Sequence, residues 1–233
     1  TPDAETPLAY GLGRPRRGSP ESEDLPCSHP EPLAEGGFVL RRLSILSVLL
    51  AVILTPAALA ANVSIRVEGK TTTIFGAAQP RLAADNALQA LDVASTAGEF
   101  YYGTTTADFG TYVSQIGKYP AAGTAGWVFK VNGVSPPVGA DKVTLKDGDV
   151  VLWYYATFGA AGGPPTLELQ RLPANCYVVQ TVNDAGKKAR ATTATLTADG
   201  KRFRTQAGRA CIGKHVGLVR AVAPGAIRSN AVR

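Results

Sequence analysis

Twelve consecutive uncharged residues, Leu43-Ser-Ile-Leu-Ser-Val-Leu-Leu-Ala-Val-Ile-Leu54, follow Arg41-Arg42 and precede Thr55-Pro56-Ala-Ala-Leu-Ala60. A basic start, a short apolar core and a small-residue A-x-A site, in that order, are what export machinery reads. The run is too short to cross a bilayer, and Pro56 interrupts it. Residues 39–60 are therefore expected to form a signal helix cleaved between Ala60 and Ala61. The folded product then begins at Ala61 and works outside the cell or at the cell envelope.

This division constrains everything upstream. Residues 1–38 are rich in Pro, Gly, Glu and Arg and hold few large apolar groups, a composition expected to stay disordered. The chain contains no Met, and its signal begins some forty residues in. Both facts fit an upstream extension, with translation starting at Val39 or Leu40. On that reading Cys27 and His29 never enter the mature protein.

Charge divides what remains. Residues 61–158 carry seven Lys/Arg against eight Asp/Glu, whereas residues 166–233 carry twelve against three. Gly159-Ala-Ala-Gly-Gly-Pro-Pro165 separates them as a linker. A neutral module at 61–158 and a basic one at 166–233 are expected. Cys176 and Cys211, an even pair in an exported chain, read as a disulfide of the second module.

Hydrophobic periodicity gives the elements. Val63, Ile65 and Val67 alternate with Ser64, Arg66 and Glu68, predicting a hairpin over 62–75 with one polar face. Ala84, Ala87, Leu88, Leu91 and Ala94 fall on one face of a helix predicted at 84–96, capped by Asn86 and ended by Gly98. Phe100–Tyr102, Tyr112–Ile116 and Val143–Leu145 read as short strands. Gly126-Trp-Val-Phe-Lys-Val-Asn-Gly133 is a strand ending in a favoured two-residue turn. Val150-Val-Leu-Trp-Tyr-Tyr155 is apolar on both faces and belongs at the centre of a sheet. One helix with four to six mainly antiparallel strands predicts an α+β first module. Strands at 166–169, 176–182, 194–198, 203–205 and 217–222 predict a small all-β, immunoglobulin-like sandwich after it.

Several of these segments carry a family resemblance. Gly126–Gly133, then Val138-Gly-Ala-Asp141, Leu145-Lys-Asp-Gly-Asp149 and Trp153-Tyr154 resemble the transcobalamin-like C-terminal domain family, over about residues 61–158. Arg209–Gly213, Gly217–Ala221 and Pro224–Ala226 are more loosely similar to tails of exported actinobacterial proteins. The resemblance implies a small β-rich domain with one helix, which in animal carriers covers one face of cobalamin. Those carriers complete the site with a large helical-barrel domain. Residues 166–233 are too short and too β-like to supply one, so the chain is expected to hold no cofactor.

Catalytic signatures are not found. There is no G-x-S-x-G, H-E-x-x-H or phosphate loop, which points to a non-enzymatic protein. His215 sits beside Lys214 with no orienting carboxylate in sequence, so a packed or solvated imidazole is expected. Asp141, Asp147 and Asp149 read as turn residues rather than a metal site. Trp127 and Phe129 share one strand face, Trp153 and Tyr155 a face of another, making these four the candidate ligand platform. Lys187, Lys188, Arg190, Lys201, Arg202, Arg204, Arg209, Lys214, Arg220 and Arg228 give the second module a basic surface. Anionic cell-wall polymers suit an exported polycation better than nucleic acid does. No membrane anchor is expected in the mature chain. Together these features point to a secreted or envelope-associated binding module, with a carrier of a corrinoid-like or other planar molecule as the alternative.

Overall fold

The computed structural model describes residues 60–108 and 110–233, which form β-sheets around a single α-helix. The expected signal segment 39–59 and the upstream segment 1–38 lie outside the described residues. Ala60 immediately precedes the first strand, and Ala61 opens it.

In chain order the first half contains β1 (Ala61–Glu68), β2 (Thr73–Phe75), β3 (Arg81–Ala84), α1 (Ala87–Gly98), β4 (Tyr102–Ala107), β5 (Gly110–Ile116), β6 (Tyr119–Pro120), β7 (Ala125–Val131) and β8 (Val150–Thr157). β1 and β8 lie side by side and parallel at the centre of a five-stranded sheet. β2 and β3 both pair with β1 on its outer side, and β7 pairs antiparallel with β8. β4, β5 and β6 form a separate antiparallel meander. β8 is apolar on both faces because both are covered: its residues 151–156 are all buried.

The helix lies on one face of this sheet. Ala87, Ala90, Leu91 and Ala94, spaced one helical turn apart, pack with Val63, Ile65, Val67, Val151 and Trp153. Asn86 Oδ1 accepts from Gln89 N–H as the expected N-cap. The helix starts and ends two to three residues later than its periodicity predicts, and Glu99, not Gly98, takes the left-handed terminal conformation (φ 51°). Gly98 answers a packing need instead, since a Cβ there would lie 2.6 Å from Phe75 Cδ2. Val143–Leu145 is not a strand; only Thr144 bridges, to Asn86.

The second half comprises β9 (Thr166–Leu172), β10 (Cys176–Val182), β11 (Lys188–Arg190), β12 (Thr195–Ala198), β13 (Lys201–Arg204), β14 (Arg209–Cys211), β15 (Val219–Val222) and β16 (Ala231–Val232). β10 pairs with β9 along its whole length, and with β11 and β14 end to end on the other side. A second sheet runs β13-β12-β15-β16. Leu167, Leu169, Tyr177, Val179, Leu196, Val219 and Ala221 from the two sheets make one core. Cys176 and Cys211 form the disulfide. It ties adjacent strands β10 and β14 of one sheet, whereas the immunoglobulin bridge crosses between sheets.

Residues 60–233 lie in one compact unit holding both cores. The polar face of β1 is covered. Glu68 is fully buried and Arg66 almost so. The Glu68 carboxylate accepts from Arg66 Nη1 at 3.1 Å, Thr73 Oγ1 at 3.0 Å, Arg228 Nε at 3.0 Å, and Arg220 Nη2. Arg220 and Arg228, expected on the basic surface, therefore turn inward. On β7, Lys130 is also fully buried; its Nζ donates to Val182 O (3.0 Å) and Asn183 O (2.9 Å) and lies 3.3 Å from Asp184. Burial pulls the Lys130 ammonium below the usual lysine range, against the opposing pull of Asp184.

Candidate ligand-binding groove

β7 is an edge strand, and its hydrogen-bond parity determines what that edge offers. Asn132 N–H donates to Val150 O, and Phe158 N–H to Thr124 O. Backbone direction alternates along an antiparallel ladder, so Gly126, Val128 and Lys130 direct their backbone groups at β8. Ala125, Trp127, Phe129 and Val131 direct theirs away. Val131 exchanges its pair with Val134 across the Asn132-Gly133 turn, where both central residues have positive φ, and Ala125 exchanges its pair with Ala122. Trp127 and Phe129 remain. Among the described residues, no strand pairs with that side of β7.

A groove of about 310 Å³ runs along this edge. Its walls are Thr111, Tyr112 and Val113 of β5 and the Ser135–Ala140 loop, with Phe158 and Asp184 also bordering it. It touches both sheet faces, Phe129 and Trp153 on the helix-bearing side, Val128 and Tyr154 on the other. Pro136, Pro137 and Gly139 stiffen or narrow the loop; a Cβ on Gly139 would come within 2.8 Å of Gly110 Cα. Asp141 holds the β5 end by accepting from Thr111 N–H at 2.7 Å, which keeps its carboxyl below the usual range.

The four candidate aromatics separate here. Trp127, Phe129 and Trp153 line the groove; Tyr155 is not among its lining residues. Trp127, Trp153 and Tyr155 are 1%, 2% and 5% exposed and belong to the core, while Phe129 is half-buried. Phe129 stacks on Trp153 with centroids 4.9 Å apart, and Trp127 meets Tyr155 edge-on at 5.5 Å. Trp127 Nε1 donates to Tyr119 O and Tyr155 Oη to Pro120 O, so both polar handles serve the fold. At the mouth, Phe158 and Val138 are the exposed apolar groups. Sequence reasoning missed the side of β7 that no described strand pairs with, and the Pro136-Pro137 wall. The Asn132-Gly133 turn was a partial signal, because it closes one end of the edge.

Other candidate groups are held in structural roles. His215 Nε2 lies 2.6 Å from Tyr177 Oη and Nδ1 lies 2.9 Å from Gly217 O. With Nδ1–H donating to the carbonyl, Nε2 accepts from the phenol. Asp147 accepts from Asn62 N–H; Asp149 accepts from Lys146 N–H and the Asn132 amide. Among the described residues, no cluster of His, Cys, Asp or Glu is arranged to hold a metal ion, and no helix is long and apolar enough to cross a membrane. Lys187, Lys188, Arg190, Lys201, Arg202, Arg204, Arg209 and Lys214 are exposed.

A family model described as a domain of unknown function (DUF4430) matches residues 83–157, the stretch holding the helix, the meander, β7 and β8. No curated protein matches the chain. Among solved structures, a crystal structure of a "putative metal binding protein" from Ruminococcus gnavus ATCC 29149 is similar at 13% identity and a TM-score of 0.31. That similarity covers 41% of this chain and 95% of the other. Likeness at that level transfers nothing to this chain.

Proposed function

We propose that this chain is a non-enzymatic binding module of the cell exterior or envelope that takes an extended polypeptide along the open edge of β7. The observation that carries the reading is that, among the described residues, no strand pairs with the outer side of β7 at Trp127 and Phe129, where a groove reaches both sheet faces. Successive side chains of an added strand alternate between faces, so each would find an apolar wall. The turns at Ala122–Ala125 and Val131–Val134 limit the edge to about one strand segment. Kinship of residues 61–158 with the transcobalamin-like C-terminal domain family, and a sandwich related to immunoglobulin modules at 166–233, are the finer forms of this reading. The exposed Lys and Arg side chains of the second half would retain the protein on anionic wall polymers, reversibly with salt.

Selection of displayed linear seven-residue peptides against the full chain tests this. The expected outcome is enrichment of sequences with alternating apolar positions. Methylating one central amide nitrogen of a selected peptide should weaken it roughly 2- to 10-fold, as loss of one backbone hydrogen bond predicts. No enrichment, or binding indifferent to methylation at every central amide, would overturn it.

A second reading, a carrier of a planar small molecule, is favoured by the stacked Phe129–Trp153 pair in the groove. The groove volume lies at the small end of ligand pockets, so a corrinoid would stay mostly wet in it. Equilibrium dialysis with cyanocobalamin separates the readings; no binding at millimolar ligand removes the corrinoid form.

A further inference from the structure

A second cavity, of about 550 Å³, lies where the outer face of the β1–β8–β7 sheet meets β9 and β10. Unlike the β7 groove it is lined mainly by polar side chains, among them Arg66, Lys130, Gln79, Gln180 and Asn230. Its volume is well within the range of small-molecule sites.

Arg66 stands out among these. Its side chain is only 4% exposed, and both of its hydrogen bonds leave from Nη1, to Glu68 Oε1 and to Arg228 O. Nε is buried and meets no acceptor among the described residues. A buried donor left unpaired is costly, more so on a charged group. The surroundings deepen the deficit. Three guanidiniums, Arg66, Arg220 and Arg228, share the single carboxylate of Glu68. Lys130 does not add to the imbalance, since its ammonium is taken up by Val182 O, Asn183 O and Asp184. The carboxylate at the cavity, Glu168, is half-exposed and paired with Lys188. Burial, with repulsion from Arg220 and Arg228, lowers the Arg66 guanidinium to about 10 despite Glu68.

We propose that this cavity binds a small oxyanion, a carboxylate or a phosphate, on the Nε side of the Arg66 guanidinium. A planar guanidinium presents parallel N–H groups along that edge, matched to two oxygens of one anion. Gln79 and Gln180 supply neutral amide donors around it without competing charge, while Asn230 is held by its paired bonds to the Leu169 backbone. The site is separate from the β7 groove and stands whether or not a peptide binds there.

Arginine Nε–Hε resonances of the ¹⁵N-labelled full chain read the proposed contact directly. Sodium phosphate and sodium acetate are titrated separately, at constant ionic strength against chloride. One Nε–Hε resonance is expected to move saturably with one of the two anions, and which anion does so identifies the ligand class. The melting temperature should rise with it, by about 5 °C or more at a hundred times the dissociation constant. Arg66→Lys keeps the charge, removes the fork and should abolish both the resonance and the rise. Should Arg66→Lys fail to fold, through-bond assignment of the Nε–Hε resonance to the Arg66 backbone identifies it, and that resonance should still respond in Arg220→Lys and Arg228→Lys. A stationary Arg66 resonance up to 50 mM of each anion, or a drift equal to that in chloride, would overturn the proposal.

Discussion

Replacing Glu68 by Gln removes one charge and almost no volume from the contact between β1 and the second half of the chain. In the native cluster one carboxylate with no exposure answers Arg66, Arg220 and Arg228 and accepts from Thr73 as well. The amide keeps one acceptor oxygen, but its NH₂ would face guanidinium donors, and three cations would lose their common counter-charge. Removing one partner of a buried ion pair costs about 3–5 kcal/mol, because the remaining charge stays desolvated and unpaired. For a folded unit of this size that corresponds to a fall in melting temperature of roughly 6–20 °C. The assay is urea and thermal denaturation of the full chain at pH 7, followed by near-ultraviolet circular dichroism of Trp127 and Trp153, both in the core to which β1 contributes. In an Arg220→Ala background the same substitution should cost less, since fewer cations are stranded. A loss under about 1 kcal/mol would refute the reasoning, for it would mean the carboxylate is hydrated and the outer face of β1 open.

Three further outcomes follow from the same structure. Converting Cys176 and Cys211 together to Ser should destabilise the second half by about 3–4 kcal/mol in the chain-entropy account, read as a lower urea midpoint and compared with the reduced native chain. Asp199 accepts from Val216 N–H and Gly217 N–H, which hold its carboxyl below the usual range. Its contribution is therefore present above about pH 4 and lost as the solution is acidified through the folded-state value; Asp199→Ala should flatten the acid limb of melting temperature against pH between 2 and 5. Gly133→Ala places a side chain at φ 84°, and a loss of about 1–2 kcal/mol in denaturant titration is expected.

What was legible in the sequence was what local rules control. The alternation of Val63, Ile65 and Val67 placed β1, the two-faced apolar run at 150–155 placed a central strand, and Asn86 and Asn132-Gly133 marked a cap and a turn that both form. Each depends on residues within a few positions of one another, so periodicity and turn chemistry suffice. The disulfide was legible because only two cysteines remain after residue 60. β14 and β16, three and two residues long, were missed because such short segments carry no period.

Tertiary structure decided which polar faces are covered and which edges stay open. Arg66, Glu68 and Lys130 occupy the polar positions of alternating strands, a pattern that ordinarily faces water. They are buried because residues some 50 to 160 positions away, Val182, Asn183, Arg220 and Arg228, close over them. Arg220 and Arg228 look in sequence like any other members of a basic surface; only the distant carboxylate turns them inward. The open edge of β7 is equally invisible along the chain, because a strand's outer neighbour is set by topology and not by its own residues. Composition and periodicity thus determined the elements and the strongly basic second half. The assembly of the two halves determined where this protein has a groove and where it holds an unanswered positive charge.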